Sequence, residues 1–82
     1  MPALPIDPAM LDSARRQHAA AADRHAARIA SCNHAVRQDL AHGRPPGAAA
    51  RQLLAEAQAL METLAQMRTV ERFAAQVRQP AA

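Results

Sequence analysis

The sequence predicts an all-α fold, an antiparallel hairpin of two long helices, and three observations lead there. Alanine supplies most of the 50% hydrophobic fraction, and it orders into a helix at the lowest entropic cost of any residue. Phe73 is the lone aromatic residue and β-branched residues are few, so little in the chain favours strands. The six prolines fall in three places, at Pro2, Pro5 and Pro8, at Pro45 and Pro46, and at Pro80, bracketing two proline-free segments of matched length.

The first helix opens with Asp7 as N-cap and Pro8 at the first helical position, where a missing N–H costs nothing and the fixed φ suits a helix. It runs to about His42, where Gly43 can take the left-handed position that ends a helix. The stretch GRPPG over 43–47 is the turn, because Pro45 and Pro46 forbid one continuous rod. The second helix starts near Pro46 or Gly47 and runs to about Gln79, where Pro80 stops it. Helices of about 8–42 and 46–79 are each roughly 50 Å long at 1.5 Å per residue. Equal lengths joined by a short Gly/Pro turn pack most simply as an antiparallel pair. The expected organisation is a single domain over 1–82 with frayed ends at 1–6 and 80–82.

At 100° per residue, Leu11, Ala14, His18, Ala22, His25, Ile29, Cys32, Val36 and Leu40 fall in one sector of the first helix, a seam for a single neighbour. Arg16, Asp23, Arg24, Ala27, His34 and Gln38 form its solvated side. The second helix has a wider apolar sector. Leu53, Leu54, Ala57, Leu60, Met61, Leu64 and Met67 begin it, and it then swings round to Val70, Phe73, Ala74 and Val77. One helix contact covers a sector of about 100°, so the excess, centred on Leu60, Met67, Val70, Phe73 and Val77, is the expected partner-binding surface, with Phe73 as its anchor. The alternative is that Leu4 and Ile6 fold back onto Phe73. Large apolar residues are too few to offset backbone ordering at roughly 1–2 kcal/mol per residue, so a partner chain is expected to complete the hairpin.

Chemistry is not indicated. His18, His25 and Cys32 share the seam but are seven residues apart, about 10.5 Å per step, whereas two ligands of one zinc on a helix sit three or four residues apart. No metal or other cofactor is expected, although the two seam histidines make pairing a candidate for pH sensitivity. Ser31, Cys32, Asn33 and His34 are adjacent and so point about 100° apart, and a two-helix hairpin encloses no oxyanion site. No glycine-rich phosphate loop is present. The chain therefore reads as a non-enzyme.

The net charge of +3 comes from ten arginines against seven acids, spread along the chain as on solvated helix faces, so nucleic-acid binding is not expected. No stretch reaches the roughly 18 apolar residues of a membrane span, and the N-terminus has no signal-peptide pattern. Cys32 is single, in keeping with a reducing compartment. A soluble cytoplasmic protein is expected.

The run VRQDLAHG, a short glycine-containing turn, and then RQLLAEAQALMETLAQMRTV resemble the small type III secretion co-chaperone family (YscE/PscE-like), over about residues 36 to 70. The chain differs from that family in its proline-containing N-terminus and in having no Tyr or Trp on the second helix. The resemblance implies a bacterial, cytoplasmic helical hairpin that pairs with a larger helical-repeat chaperone to keep the needle subunit soluble before export. It implies no catalytic residue. A rival of a different class is a self-associating structural protein, two hairpins forming a homodimeric four-helix bundle with coiled-coil packing.

Overall fold

The computed structural model describes residues 7–78 and is an all-α hairpin of two helices, α1 (Pro8–Ala41) and α2 (Gly47–Arg78), packed antiparallel along their length. The N-terminus of α1 is capped as its sequence dictates: Asp7 is extended and its carboxylate accepts from Ala9 N–H at 2.9 Å, with Pro8 as the first helical residue. The proposed docking of Leu4 and Ile6 onto Phe73 lies outside the described residues, as does the end of α2 beyond Arg78.

The turn is built by backbone hydrogen bonds. His42 is the C-cap of α1, and Gly43 follows with φ of 71°. Gly43 N–H donates to Leu40 C=O at 3.1 Å and Arg44 N–H to Asp39 C=O at 2.8 Å, the paired bonds of a Schellman motif, which satisfy carbonyls left open at a helix end. The Arg44 guanidinium closes the same ring by reaching the Asp39 carboxylate at 3.2 Å. Pro45 and Pro46 carry no N–H to be left unpaired, and the Pro46 carbonyl accepts from Ala50 N–H at 2.8 Å to start α2.

The helices meet along one seam each. On α2 Ala49, Leu53, Glu56, Leu60, Thr63, Met67, Val70 and Ala74 are at least partly buried and keep the alternating steps of four and three of a coiled-coil heptad; Ala57 and Ala59, beside that line, are partly buried as well. On α1 the seam residues are Leu11, Ala14, His18, Ala21, Ala22, His25, Ile29, Cys32, Val36 and Asp39, with Ser13 and Arg15 partly buried beside them. Ala21 and Ala22 share the seam between His18 and His25, so one extra residue enters the heptad spacing between Ala14 and Ile29, which locally unwinds a supercoil. Leu40 does not belong to the seam: it is 61% exposed, because the 3-4 spacing from Val36 arrives at Asp39 and leaves Leu40 one residue to the side. Arg16, Asp23, Arg24, Ala27, His34 and Gln38 are exposed, on the side of α1 away from α2.

The seam is thin. Among the described residues the deepest are Ala74 at 1%, Cys32 at 6% and Thr63 at 7% exposure, and no large side chain is fully buried. Thr63 loses nothing by its position, since its hydroxyl donates to Ala59 C=O at 2.9 Å.

The two glycines give a paired test of the turn. Gly43→Ala forces a Cβ into the left-handed region, although the space beyond is empty, and should cost about 1–2 kcal/mol. Gly47→Ala meets only the flexible end of Arg51 at 3.5 Å in a helical position and should stabilise by about 0.5 kcal/mol through the unfolded state. Urea unfolding of both variants checks the opposite signs.

Candidate functional site

The seam holds one polar cluster, which the heptad spacing places in mid-hairpin. Glu56 occupies an α2 seam position, and its carboxylate meets His25 Nδ1 across the interface at 2.7 Å and Arg28 Nη1 at 3.6 Å. The His25 and Glu56 side chains are 22% and 16% exposed, so their bond is shielded from most competing water. Ile29 is partly buried in the seam and Arg28 stands at its rim, where the guanidinium reaches Glu56. A second crosslink sits near the open end of the hairpin, where Arg15 holds Glu71 through two bonds, Nε to Oε1 at 2.6 Å and Nη2 to Oε2 at 3.3 Å. That hydrogen bonding raises the Arg15 pKa above its ordinary value. Together the two crosslinks fix the register of α2 against α1 at two heights.

The histidines and the cysteine of the seam are not brought together. His18 and Cys32 are separate seam residues, His25 is engaged by Glu56, and no group of three or more His, Cys, Asp or Glu among the described residues is placed to hold a metal. Ser31 and Cys32 edge a small depression beside Ala49 and Gln52 that contains no second reactive group.

What α2 does offer is apolar surface outside the seam. Leu60, Met67 and Val70, three of the five residues expected to bind a partner, are partly buried at the seam. Met67 and Val70 line a groove of about 220 Å³ with Arg15, His18, Ala19 and Glu71. Phe73 and Val77 are each 49% exposed. Val77 continues the seam spacing of Val70 and Ala74 but falls level with the first residues of α1, and Phe73 is set one residue to the side. This end of α2 thus carries an edge that α1 does not cover.

On the other side of the seam is a set that the sequence grouped with the seam itself. Leu54 is 60%, Met61 69% and Leu64 42% exposed. Together with Ala57, which is itself partly buried, they form a second 3-4 repeat on α2, set to one side of the seam. Beyond it lies a shallow groove of about 630 Å³ lined by Leu64, Met67, Arg68, Glu71, Arg72 and Ala75. The broad apolar sector is therefore three surfaces: a seam and two flanks. Glu56 is one of the seam residues that sequence reasoning passed over, with Asp39, Ala49 and Thr63, and on α2 the signal was the spacing: 49, 53, 56, 60 and 63 keep heptad steps regardless of polarity.

No family model, curated protein or solved structure matches the chain.

The cluster generates one prediction. Removing either partner alone strands a shielded polar group, so Glu56→Ala and His25→Ala should each destabilise the hairpin, while the double variant should cost less than the sum, with a coupling of roughly 0.5–3 kcal/mol. A double-mutant cycle measured by urea unfolding reads that coupling directly; strict additivity would mean the 2.7 Å contact does not contribute.

Proposed function

We propose that this chain is a non-enzymatic binding module, a helical hairpin completed by another protein. The observation that carries the reading is surface. Among the described residues no large side chain is fully buried, and Met10, Leu54, Met61, Phe73 and Val77 are between 49% and 69% exposed, which is more apolar surface than one helix-helix seam covers.

The partner-binding residues in this reading are Leu60, Met67, Val70, Phe73 and Val77, with Phe73 as the anchor. A helix of the partner laid along the uncovered end of α2 removes Phe73 and Val77 from water and packs over the outer edges of Met67 and Val70. Aromatic residues in such positions dominate binding energy because they lose much apolar area at little entropic cost. Binding to the folded hairpin stabilises it by mass action.

The finer reading is a cytoplasmic co-chaperone of a bacterial type III secretion system, paired with a helical-repeat chaperone to keep the needle subunit unpolymerised. Its support is the resemblance over residues 36 to 70, together with the need of this hairpin for a second chain.

Coexpression with the helical-repeat chaperone and needle subunit of the same secretion locus tests it. The expected result is a stable complex of all three, with soluble needle subunit lost when this chain is omitted; needle subunit equally soluble without it contradicts the co-chaperone role. Phe73→Asp should abolish partner copurification while leaving helix content by circular dichroism unchanged, since the side chain it alters is half exposed already. Undiminished pairing would place the partner on another face.

A further inference from the structure

We infer that the groove on α2 lined by Leu64, Met67, Arg68, Glu71, Arg72 and Ala75 is a docking site for an acidic amphipathic helix of another protein, one that carries two carboxylates a single turn apart beside an apolar ridge. This goes beyond the partner reading and does not rest on it, since the groove opens on the other side of the seam from Phe73 and Val77.

The groove, of about 630 Å³, follows α2 from residue 64 to residue 75, about 16 Å or three helical turns. At 100° per residue its side chains succeed one another around the helix from the seam outward as Met67, Glu71, Leu64, Ala75, Arg68 and Arg72. Met67 is half-buried and Leu64 is 42% exposed, and Ala75 leaves a gap among longer neighbours. The floor is therefore apolar, between two charged rims.

The rims differ. On the inner one Glu71 is already engaged, since Arg15 of α1 holds it through Nε at 2.6 Å and Nη2 at 3.3 Å. On the outer one Arg68 and Arg72 are both exposed, and among the described residues neither has a carboxylate within ion-pair distance. Two unmatched positive charges, one turn apart, thus border apolar surface.

That pattern selects the occupant. A helix lying along the groove repeats its side chains at the same pitch, so carboxylates four positions apart stand about 6 Å apart along the axis, as Arg68 and Arg72 do. Each can take one guanidinium in a charge-assisted pair, while the apolar ridge beside them covers Leu64 and Met67 and fills the gap over Ala75. Covering the floor also withdraws the pairs partly from water, which sharpens their discrimination between partners. A second copy of this chain does not supply such a helix: no two of its seven acids stand three or four residues apart. Nucleic acid fits less well, because the apolar floor offers nothing to phosphate and the groove has no aromatic side chain for a base to stack on.

Titration of the isotope-labelled full chain with designed helical peptides, followed by the Leu64 methyl signals at about 50 mM salt, tests the inference. The probes are an amphipathic peptide of about four turns with a leucine ridge and two glutamates one turn apart, and the same peptide with lysines in place of the glutamates. The glutamate peptide should bind at least about tenfold more tightly than the lysine peptide. The double variant Arg68→Glu, Arg72→Glu should invert that order with helix content retained, since both positions are exposed; if helix content falls, Arg68→Gln with Arg72→Gln takes its place and should erase the preference. A matched reversal on the far side of α1, Arg16→Glu with Arg24→Glu, changes the net charge equally and should leave the order as it was. Equal binding of the two peptides, no binding of either at about millimolar concentration, or an order that follows the α1 reversal as readily as the α2 one overturns the inference. So does a single-stranded oligonucleotide that moves the Leu64 methyls when the glutamate peptide does not. Phe73 and Val77 are untouched in every variant, so this result and that of the partner reading can each fail alone.

Discussion

Two helices lying side by side can hide only the strip where they touch, and every other feature of this chain follows from that geometric constraint. A third layer is what turns a strip into a core: it surrounds side chains that two helices leave open on one side. Here the strip is made narrow by its own composition. Ala14, Ala21 and Cys32 on α1 and Ala49, Thr63 and Ala74 on α2 let the backbones approach but bring little apolar area with them. The larger residues of α2 then project past the strip on both sides, and the hairpin is long, with apolar flanks open to solvent.

A seam of small residues also specifies register weakly, since sliding alanine over alanine costs little. The Glu56 cluster answers that weakness. Its carboxylate has cross-helix partners only when His25 and Arg28 are level with it, and any slip leaves it shielded and unpaired, which costs more than the pair itself contributes. The Arg15–Glu71 pair repeats the constraint nearer the open end, and the turn fixes it at the other through the Asp39 and Leu40 carbonyls. Polar contacts at three heights thus set the alignment that apolar packing in this seam leaves loose. The same alignment holds the α2 flanks in fixed positions, so that a partner meets a formed surface.

Much of this was legible in the residues. Proline placement fixed where helices could run, Asp7 and Pro8 marked one start, and Gly43 marked the stop, because each acts locally and by covalent geometry. The division of the α2 apolar sector was harder to read. At 100° per residue Leu53, Leu54, Leu60 and Met61 look like one broad face, whereas a supercoiled pair follows the 3.5-residue repeat, and that repeat admits Glu56 and Thr63 to the seam and turns Leu54 and Met61 out. Hydrophobicity alone was a poor guide at those positions, since it passed over the carboxylate and placed Leu40 in the seam. Which α1 residue stands opposite Glu56 depends on the length and path of the turn, a tertiary fact that no single helix face contains.

The central claim is that the hairpin draws a substantial part of its stability from contact with another chain. Its most direct test is the thermal unfolding midpoint of the isotope-labelled hairpin, followed by its amide NMR signals, alone and with increasing amounts of the chain with which it copurifies. Stability supplied by association rises with partner concentration by mass action, so the account predicts a low midpoint alone that climbs as the partner is added. A high midpoint alone that the partner does not move would contradict it and show the two-helix seam to be enough.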